Sequence, residues 1–211
     1  MSTPLATLRQ AAQNPQRLAR KAASNPRLIP EILDGLNSDK PRVKYGCAKV
    51  LRLVSEQHPE LLYPRFDFFV RLLDHENRIF QWDAAYVLSH LACVDSENKF
   101  AAVFSKYFAP IPGPVMITAA NVIQGGARIA RAKPHWADRI AAQVLKVTKA
   151  RYHTPECRNV AIGHAILALG EMLPLLRRPA PVVQFVRKQT RNPRPATRKK
   201  AGQLLKSYYG H

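Results

Sequence analysis

Apolar residues recur along the chain with the spacing of one helix face, in runs of roughly 12 to 18 residues that are typical of packed helices. The β-branched residues lie inside these runs, and no Asn-Gly pair marks a β-hairpin turn. A polar residue followed by proline opens several runs, as at Asn25-Pro26 and His58-Pro59. The pattern therefore predicts an all-α chain of helices joined by short turns.

The second helices of successive helical hairpins repeat along the sequence. Their aligned starts are 36, 36, 41 and 40 residues apart, at Arg42, Arg78, Pro114, Pro155 and Pro195. Each of these helices has an alanine six residues later, which lets a neighbouring helix approach closely: Ala48, Ala84, Ala120, Ala161 and Ala201. The repetition predicts a stacked array of helical repeats.

The first helices of the hairpins are predicted over Pro26–Leu36, Pro59–Leu73, Glu97–Phe108, Pro134–Val147 and Pro179–Thr190. Repeats are accordingly expected over about 26–57, 59–94, 96–133, 134–173 and 177–209, within an array of residues 25–211. Residues 1–24 contain two short amphipathic segments and are expected to form an atypical capping hairpin. Gly125-Gly126, in the third of the second helices, indicates either a close helix crossing or a kink.

The first repeat contains a recognisable sequence pattern. A proline-started helix over Asn25 to Leu36 is followed by Asp39, by Val43-Lys44 and by Ala48. This pattern resembles the HEAT-repeat family, and the resemblance extends from about residue 25 to residue 209. It implies a right-handed α-α superhelix, a HEAT-like solenoid of about five helical hairpins plus the N-terminal capping hairpin. It also implies a concave face, lined by the second helices, on which a partner lies.

The charge of the chain is strongly positive and unevenly distributed. Thirty-three Lys and Arg oppose 14 Asp and Glu, for a net charge of +19. Residues 1–52, 105–158 and 159–211 carry +7, +7 and +9, whereas residues 53–104 carry −4. A field of this sign favours a nucleic acid, an anionic membrane or an acidic protein as the partner.

Many of the cations fall on the second helices. The expected binding residues among them are Arg42, Lys44, Lys49, Arg52, Arg78, Arg128, Arg131, Arg198 and Lys199. Several lie near helix starts, where a cation opposes the helix dipole, so local helix stability does not explain them. They form either a solubilising surface or a groove that contacts phosphates or carboxylates.

Trp82 and Asp83 are the most distinctive pair on a second helix, and Tyr86 lies one turn further along. A HEAT-like class of alkyl-purine DNA glycosylases combines inward tryptophans with an aspartate, so the resemblance offers a catalytic alternative. That chemistry needs a carboxylate near a developing sugar cation and an aromatic wall beside it. The structural alternative makes Trp82 an inter-repeat packing residue and pairs Asp83 with a neighbouring helix or turn.

Two asparagines, Asn121 and Asn159, lie in the middle of adjacent second helices, where they are locally disfavoured. They either bond the backbone of the next repeat or contact a partner. His164 interrupts an aliphatic row and is expected to be a satisfied core histidine. With His153 and Cys157 it provides no fourth ligand, so no metal site is expected.

The remaining features exclude other classes of protein. Three scattered cysteines, no signal-like N-terminus and no run of roughly 18 uncharged apolar residues favour a soluble cytoplasmic protein. No phosphate loop or nucleophile motif occurs, so no cofactor is expected. We therefore expect a non-enzymatic HEAT-like binding module for a DNA or RNA backbone or an acidic protein, with the glycosylase as the alternative. Integral membrane association is not expected, and membrane-surface binding by Pro195–Tyr209 is a weaker alternative.

Overall fold

The computed structural model describes residues 4–210, with side chains from residue 7 onward. These residues form α-helices and short 3-10 helices, and no β-strand occurs among them, which confirms the predicted all-α class. The contacts divide the chain into two compact units, Met1–Lys99 and Phe100–His211.

The first unit is organised around one long second helix. Its helices are α1 (Pro4–Gln13), α2 (Pro15–Ser24), α3 (Ile29–Asp34), α4 (Pro41–Gln57), α5 (Pro59–Leu62), α6 (Phe66–Leu72) and α7 (Arg78–Leu91). Helix α4 packs against α1, α2, α3, α5 and α7. Its buried face includes Val50 and Val54, and the core of the unit also contains Leu62, Phe69 and Leu88. Helices α1 and α2 fall within the region predicted to form the capping hairpin.

The second unit is centred on α11. Its helices are α8 (which begins at Lys99 and ends at Phe108), α9 (Met116–Ala132), α10 (Ala137–Val144), α11 (Pro155–Met172), α12 (Ala180–Gln189) and α13 (Pro195–Tyr209). Helix α11 packs against both α9 and α13, and α12 packs against α13. An aromatic cluster of Phe100, Phe104, Tyr107, Phe108 and Trp136 fills the core beside α8.

The predicted first helices are more broken than the hydrophobic pattern indicates. The segment Pro26–Leu36 divides into a 3-10 turn, α3 and a second 3-10 turn, and Pro59–Leu73 divides into α5, a 3-10 turn and α6. Pro30 and Pro64 lie inside these segments. Proline lacks the N–H that a continuous helix requires, and its ring crowds the carbonyl of the preceding turn. The apolar stripe continues through the break, but the α-helix does not.

Helix α9 runs through its glycine pair without interruption. A Cβ built on Gly126 would lie 3.0 Å from Phe108 Cε1 and 3.1 Å from Ile140 Cγ2. The neighbouring helices α8 and α10 thus approach α9 at this point, so the glycine pair lies at a close helix crossing.

Candidate partner-binding surfaces

The second helices of the first unit, α4 and α7, are joined by polar side chains at their exposed faces. Arg52 Nη1 donates a hydrogen bond to Asp83 Oδ1 over 3.1 Å, and its guanidinium lies 4.1 Å from the centroid of the Tyr86 ring. The Tyr86 hydroxyl donates in turn to Glu56 Oε1 over 2.5 Å. Two residues of α7 therefore hold the Arg52 guanidinium: the Asp83 carboxylate accepts its hydrogen bond, and the Tyr86 ring packs against it.

A pocket of about 470 Å³ opens between these two helices beside the Arg52–Asp83 pair. We call it the α4–α7 groove, and it is also lined by Tyr45, Lys49, Leu53, Glu56 and Ile79. Trp82 is half-buried and does not line the pocket, whereas Asp83 does. The glycosylase alternative requires an aromatic wall beside the carboxylate, and Trp82 does not provide one in this pocket.

Burial raises the pKa of Asp83, and the charge and hydrogen bond of Arg52 oppose that rise without cancelling it. A carboxyl group whose pKa is raised by folding favours the fold while it is protonated. Its contribution is fully present below the unfolded pKa of about 3.9 and is lost as the pH rises through the higher folded pKa.

Because burial and Arg52 act in opposite directions on the pKa of Asp83, we expect Arg52→Met to lower the free energy of unfolding by an amount that depends on pH. Removing the cation leaves a partly buried carboxylate at neutral pH, and we expect a loss of about 1 kcal/mol at pH 7 that shrinks toward pH 4. Urea unfolding at the two pH values measures the difference. The double variant Arg52→Met with Asp83→Asn is the control and should lack the pH dependence. An equal cost of Arg52→Met at both pH values would contradict the prediction.

The second unit repeats this arrangement between α9 and α11. Arg131 Nη1 donates to Glu171 Oε2 over 2.6 Å, and seven residues earlier on both helices Gln124 Nε2 lies 3.3 Å from His164 Nδ1. His164 is half-buried. Burial lowers its pKa, and Lys200 lowers it further. The predicted core histidine is thus a polar inter-helix contact at a partly open surface.

The three carboxylates of the second unit are all used within the fold. Glu171 forms an ion pair with Arg131, and Glu156 accepts a hydrogen bond from a guanidinium N–H of Arg194. Asp138 accepts the backbone N–H groups of Arg177 and Arg178 at 3.2 and 3.0 Å. The acidic groups of this unit therefore hold its own helices and turns together.

The other predicted residues of the first unit have different environments. Arg42 Nε donates to the Ala12 carbonyl over 3.2 Å, so Arg42 tethers α4 to α1. Lys44 is half-buried, whereas Lys49 and Arg78 are exposed. Of all the predicted cations of the first unit, Lys49 and Arg52 are the two that line the α4–α7 groove.

Among the predicted residues of the second unit, Arg128 is half-buried and Lys199 is exposed. Arg198 Nη1 donates to the carbonyls of Asn192 and Pro193, each over 2.8 Å, and so closes the turn before α13. Arg131 is exposed but paired with Glu171. Several predicted binding cations therefore also have a structural role.

The two asparagines behave differently from each other. Asn121 Nδ2 donates to the Ile117 carbonyl of its own helix over 2.9 Å, so the expected bond from Asn121 to the next repeat is wrong. Asn159 contacts the next repeat through a side chain and not through the expected backbone group: its Oδ1 accepts from Asn192 Nδ2 over 3.3 Å, and the Asn159 backbone carbonyl accepts from Thr197 Oγ1 over 2.9 Å.

The residues missed by sequence reasoning are the acidic partners, Glu56, Glu156 and Glu171. Arg131 and Glu171 are 40 residues apart, and Arg194 and Glu156 are 38 apart, close to one repeat in each case. A comparison of opposite charges at the repeat interval would have found these pairs. In residues 4–210 no group of three His, Cys, Asp or Glu side chains could hold a metal ion, and none of the helices is long and apolar enough to cross a bilayer.

Solved structures of engineered repeat proteins share this fold. The designed armadillo repeat protein YIII(Dq)4CqI has a TM-score of 0.59 at 15% identity, covering 95% of this chain and 91% of that chain. The designed armadillo repeat protein YIII(Dq.V1)4CPAF, in complex with the peptide (KR)4, has a TM-score of 0.58 at 15% identity over 95% and 90%. Another engineered protein has a TM-score of 0.57 at 16% identity over 98% and 90%.

These likenesses show that the chain has an α-solenoid fold of helical repeats, similar to that of designed armadillo proteins. The predicted fold class is confirmed at this level. No family model and no curated protein matches the sequence. The narrower HEAT assignment stays a prediction.

Proposed function

We propose that the chain is a non-enzymatic helical-repeat binding module whose second unit binds an acidic macromolecule, with the phosphate backbone of DNA or RNA ahead of an acidic protein. One observation carries this proposal. Residues 100–211 contain 19 Lys and Arg but only three Asp and Glu, and those three carboxylates are engaged within the fold. Residues 100–211 therefore carry a net charge of +16.

The charge is densest in the last helical hairpin. Residues 187–206 include eight Lys and Arg and no acidic residue, and they extend over the end of α12, the following turn and α13. Dispersed cations of this kind suit a polymer with a regular repeat of charge, because each phosphate contact releases counterions without requiring a matched geometry. A nucleic-acid backbone is such a polymer, which is why we place it ahead of a folded acidic protein.

The peptide complex of the designed armadillo protein supports a binding role for this kind of fold. The peptide in that complex, (KR)4, is cationic. The second unit of this chain has the same sign of charge and would repel it. We therefore propose a partner of opposite charge for this unit.

The proposal predicts that Lys188, Arg191 and Lys199 contribute to polyanion binding. All three are exposed: Lys188 lies at the end of α12, Arg191 in the turn that follows, and Lys199 in α13. Changing the three together to glutamate should weaken binding to duplex DNA roughly tenfold near 100 mM salt and should reduce the log–log salt slope by about 2 to 3. Fluorescence anisotropy of labelled DNA over a salt series measures both quantities.

The matched control changes the exposed Arg20, Arg27 and Arg65 of the first unit to glutamate, which alters the net charge equally. It should leave most of the affinity intact. Equal losses in the two triple variants would refute a local surface in the second unit. RNA, heparin and polyglutamate complete the series, and tighter binding of polyglutamate than of DNA at the same salt would reject the nucleic-acid backbone as partner.

A further inference from the structure

The α4–α7 groove differs from the second unit because its charges are balanced. It contains two cations, Lys49 and Arg52, and two carboxylates, Glu56 and Asp83. Asp83 and Arg52 hold each other, and Glu56 accepts the hydroxyl of Tyr86. Lys49 is exposed, and its ammonium group forms no hydrogen bond or ion pair with residues 7–210. It is the cation of this groove that is available to a ligand.

The walls beside Lys49 are apolar and open. Tyr45 and Ile79 are 38% and 39% exposed, and Leu53 is half-buried in the same groove. Tyr45 is held in place because its hydroxyl accepts from Asn77 Nδ2 over 3.2 Å and its ring lies 6.1 Å from that of Phe80. The groove is therefore organised before a ligand binds, which limits the entropy lost on binding.

The arrangement selects for a ligand with one negative charge beside an apolar group. A single carboxylate would pair with the Lys49 ammonium and could share the free edge of the Arg52 guanidinium. A polyphosphate would also meet the negative charges of Glu56 and Asp83 and would gain little from the balanced site. The lining residues of α4 extend from Tyr45 to Glu56, roughly 16 Å of helix, which matches about five residues of extended peptide.

We propose that the α4–α7 groove binds a short peptide segment in which an aliphatic or aromatic side chain neighbours an aspartate or glutamate. The carboxylate pairs with Lys49, and the apolar side chain packs between Tyr45, Leu53 and Ile79. This site goes beyond the polyanion surface of the second unit and uses different residues. Either proposal can fail without the other.

The test uses the full chain and a peptide array. Decapeptides in a Gly-Ser background carry Leu, Phe, Ala or Ser at the centre, with Asp, Asn or Lys as its neighbour, and affinities are then measured by fluorescence anisotropy. Peptides that combine Leu or Phe with Asp should bind roughly three- to tenfold more tightly than their Asn counterparts. The Ala and Ser series should lose most of the binding. Equal binding of the Asp, Asn and Lys series would overturn the proposal.

Variants at Lys49 connect that preference to the groove. Lys49→Met should abolish the discrimination between Asp and Asn, and Lys49→Glu should shift the preference to the Lys peptides. Lys40→Glu is the matched control, because Lys40 is exposed just before α4 and does not line the groove, and it should keep the preference for Asp. Unchanged selectivity in Lys49→Met would overturn the proposal. It would also be overturned if Lys49 affected the affinity for a labelled oligonucleotide but not the affinity for the peptides. The triple variant Lys188, Arg191 and Lys199→Glu should bind the peptides normally.

Discussion

Replacing Phe104 by alanine is expected to destabilise the second unit by about 3 to 5 kcal/mol. Phe104 is 1% exposed and lies among three other aromatic side chains. Its ring centroid is 6.5 Å from that of Phe100, 4.8 Å from Phe108 and 5.7 Å from Trp136. The alanine removes the buried surface of the ring and leaves a cavity that these rigid neighbours cannot fill, so both contributions add.

The measurement is urea unfolding followed by tryptophan fluorescence in a Trp82→Phe background. Each unit contains one of the two tryptophans, and the remaining Trp136 lies next to the substituted side chain. Phe68→Ala is the control, because Phe68 is half-buried in the first unit and should not change the transition reported by Trp136. A loss below about 1 kcal/mol in Phe104→Ala would mean that the aromatic cluster collapses around the missing ring.

The sequence was sufficient to predict the helical class and most second-helix starts. Helices α7, α11 and α13 begin at the aligned residues Arg78, Pro155 and Pro195, and α4 begins one residue before Arg42. Cap residues and proline act locally, so they can be read from a short stretch of sequence. The breaks in the first helices were less visible, because the apolar stripe that defines the buried face passes through the 3-10 turns as it would through an α-helix.

The candidate site was harder to predict because it depends on what the helices bring together. The cations Arg52 and Arg131 look alike in the sequence as possible ligand contacts, yet each is paired with an acid of the next repeat. Lys49, three residues from Arg52, remains available. A helix wheel places Lys49 and Arg52 on similar faces, and only the position of α7 decides which of them reaches Asp83. Side-chain pairing across repeats therefore separates binding candidates from structural cations.

The close contact of α1 with α4 is another feature that the aligned alanines did not reveal. The critical small residue is Gly46, two positions before Ala48. A Cβ built on Gly46 would lie 2.4 Å from the carbonyl oxygen of Ala11 and 2.7 Å from its carbon. Both atoms belong to the backbone of α1 and cannot rotate away as a side chain would. The α1 helix thus rests on α4 at a position where any side chain forces the two helices apart.

We expect Gly46→Ala to destabilise the first unit by about 1 to 3 kcal/mol, even though alanine favours a helix by about 1 kcal/mol over glycine. The overlap should outweigh the propensity because relief requires α1 to move as a body, and hydrogen exchange should show α1 less protected than α4. Gly202→Ala in α13 is the matched control, since nothing lies within 4 Å of its Cβ position, and the same substitution should stabilise by up to about 1 kcal/mol. The opposite signs separate steric contact from helix propensity. If both variants were stabilised equally, α1 would have to move off α4 at negligible cost, and its backbone contact at Gly46 would contribute nothing to the fold.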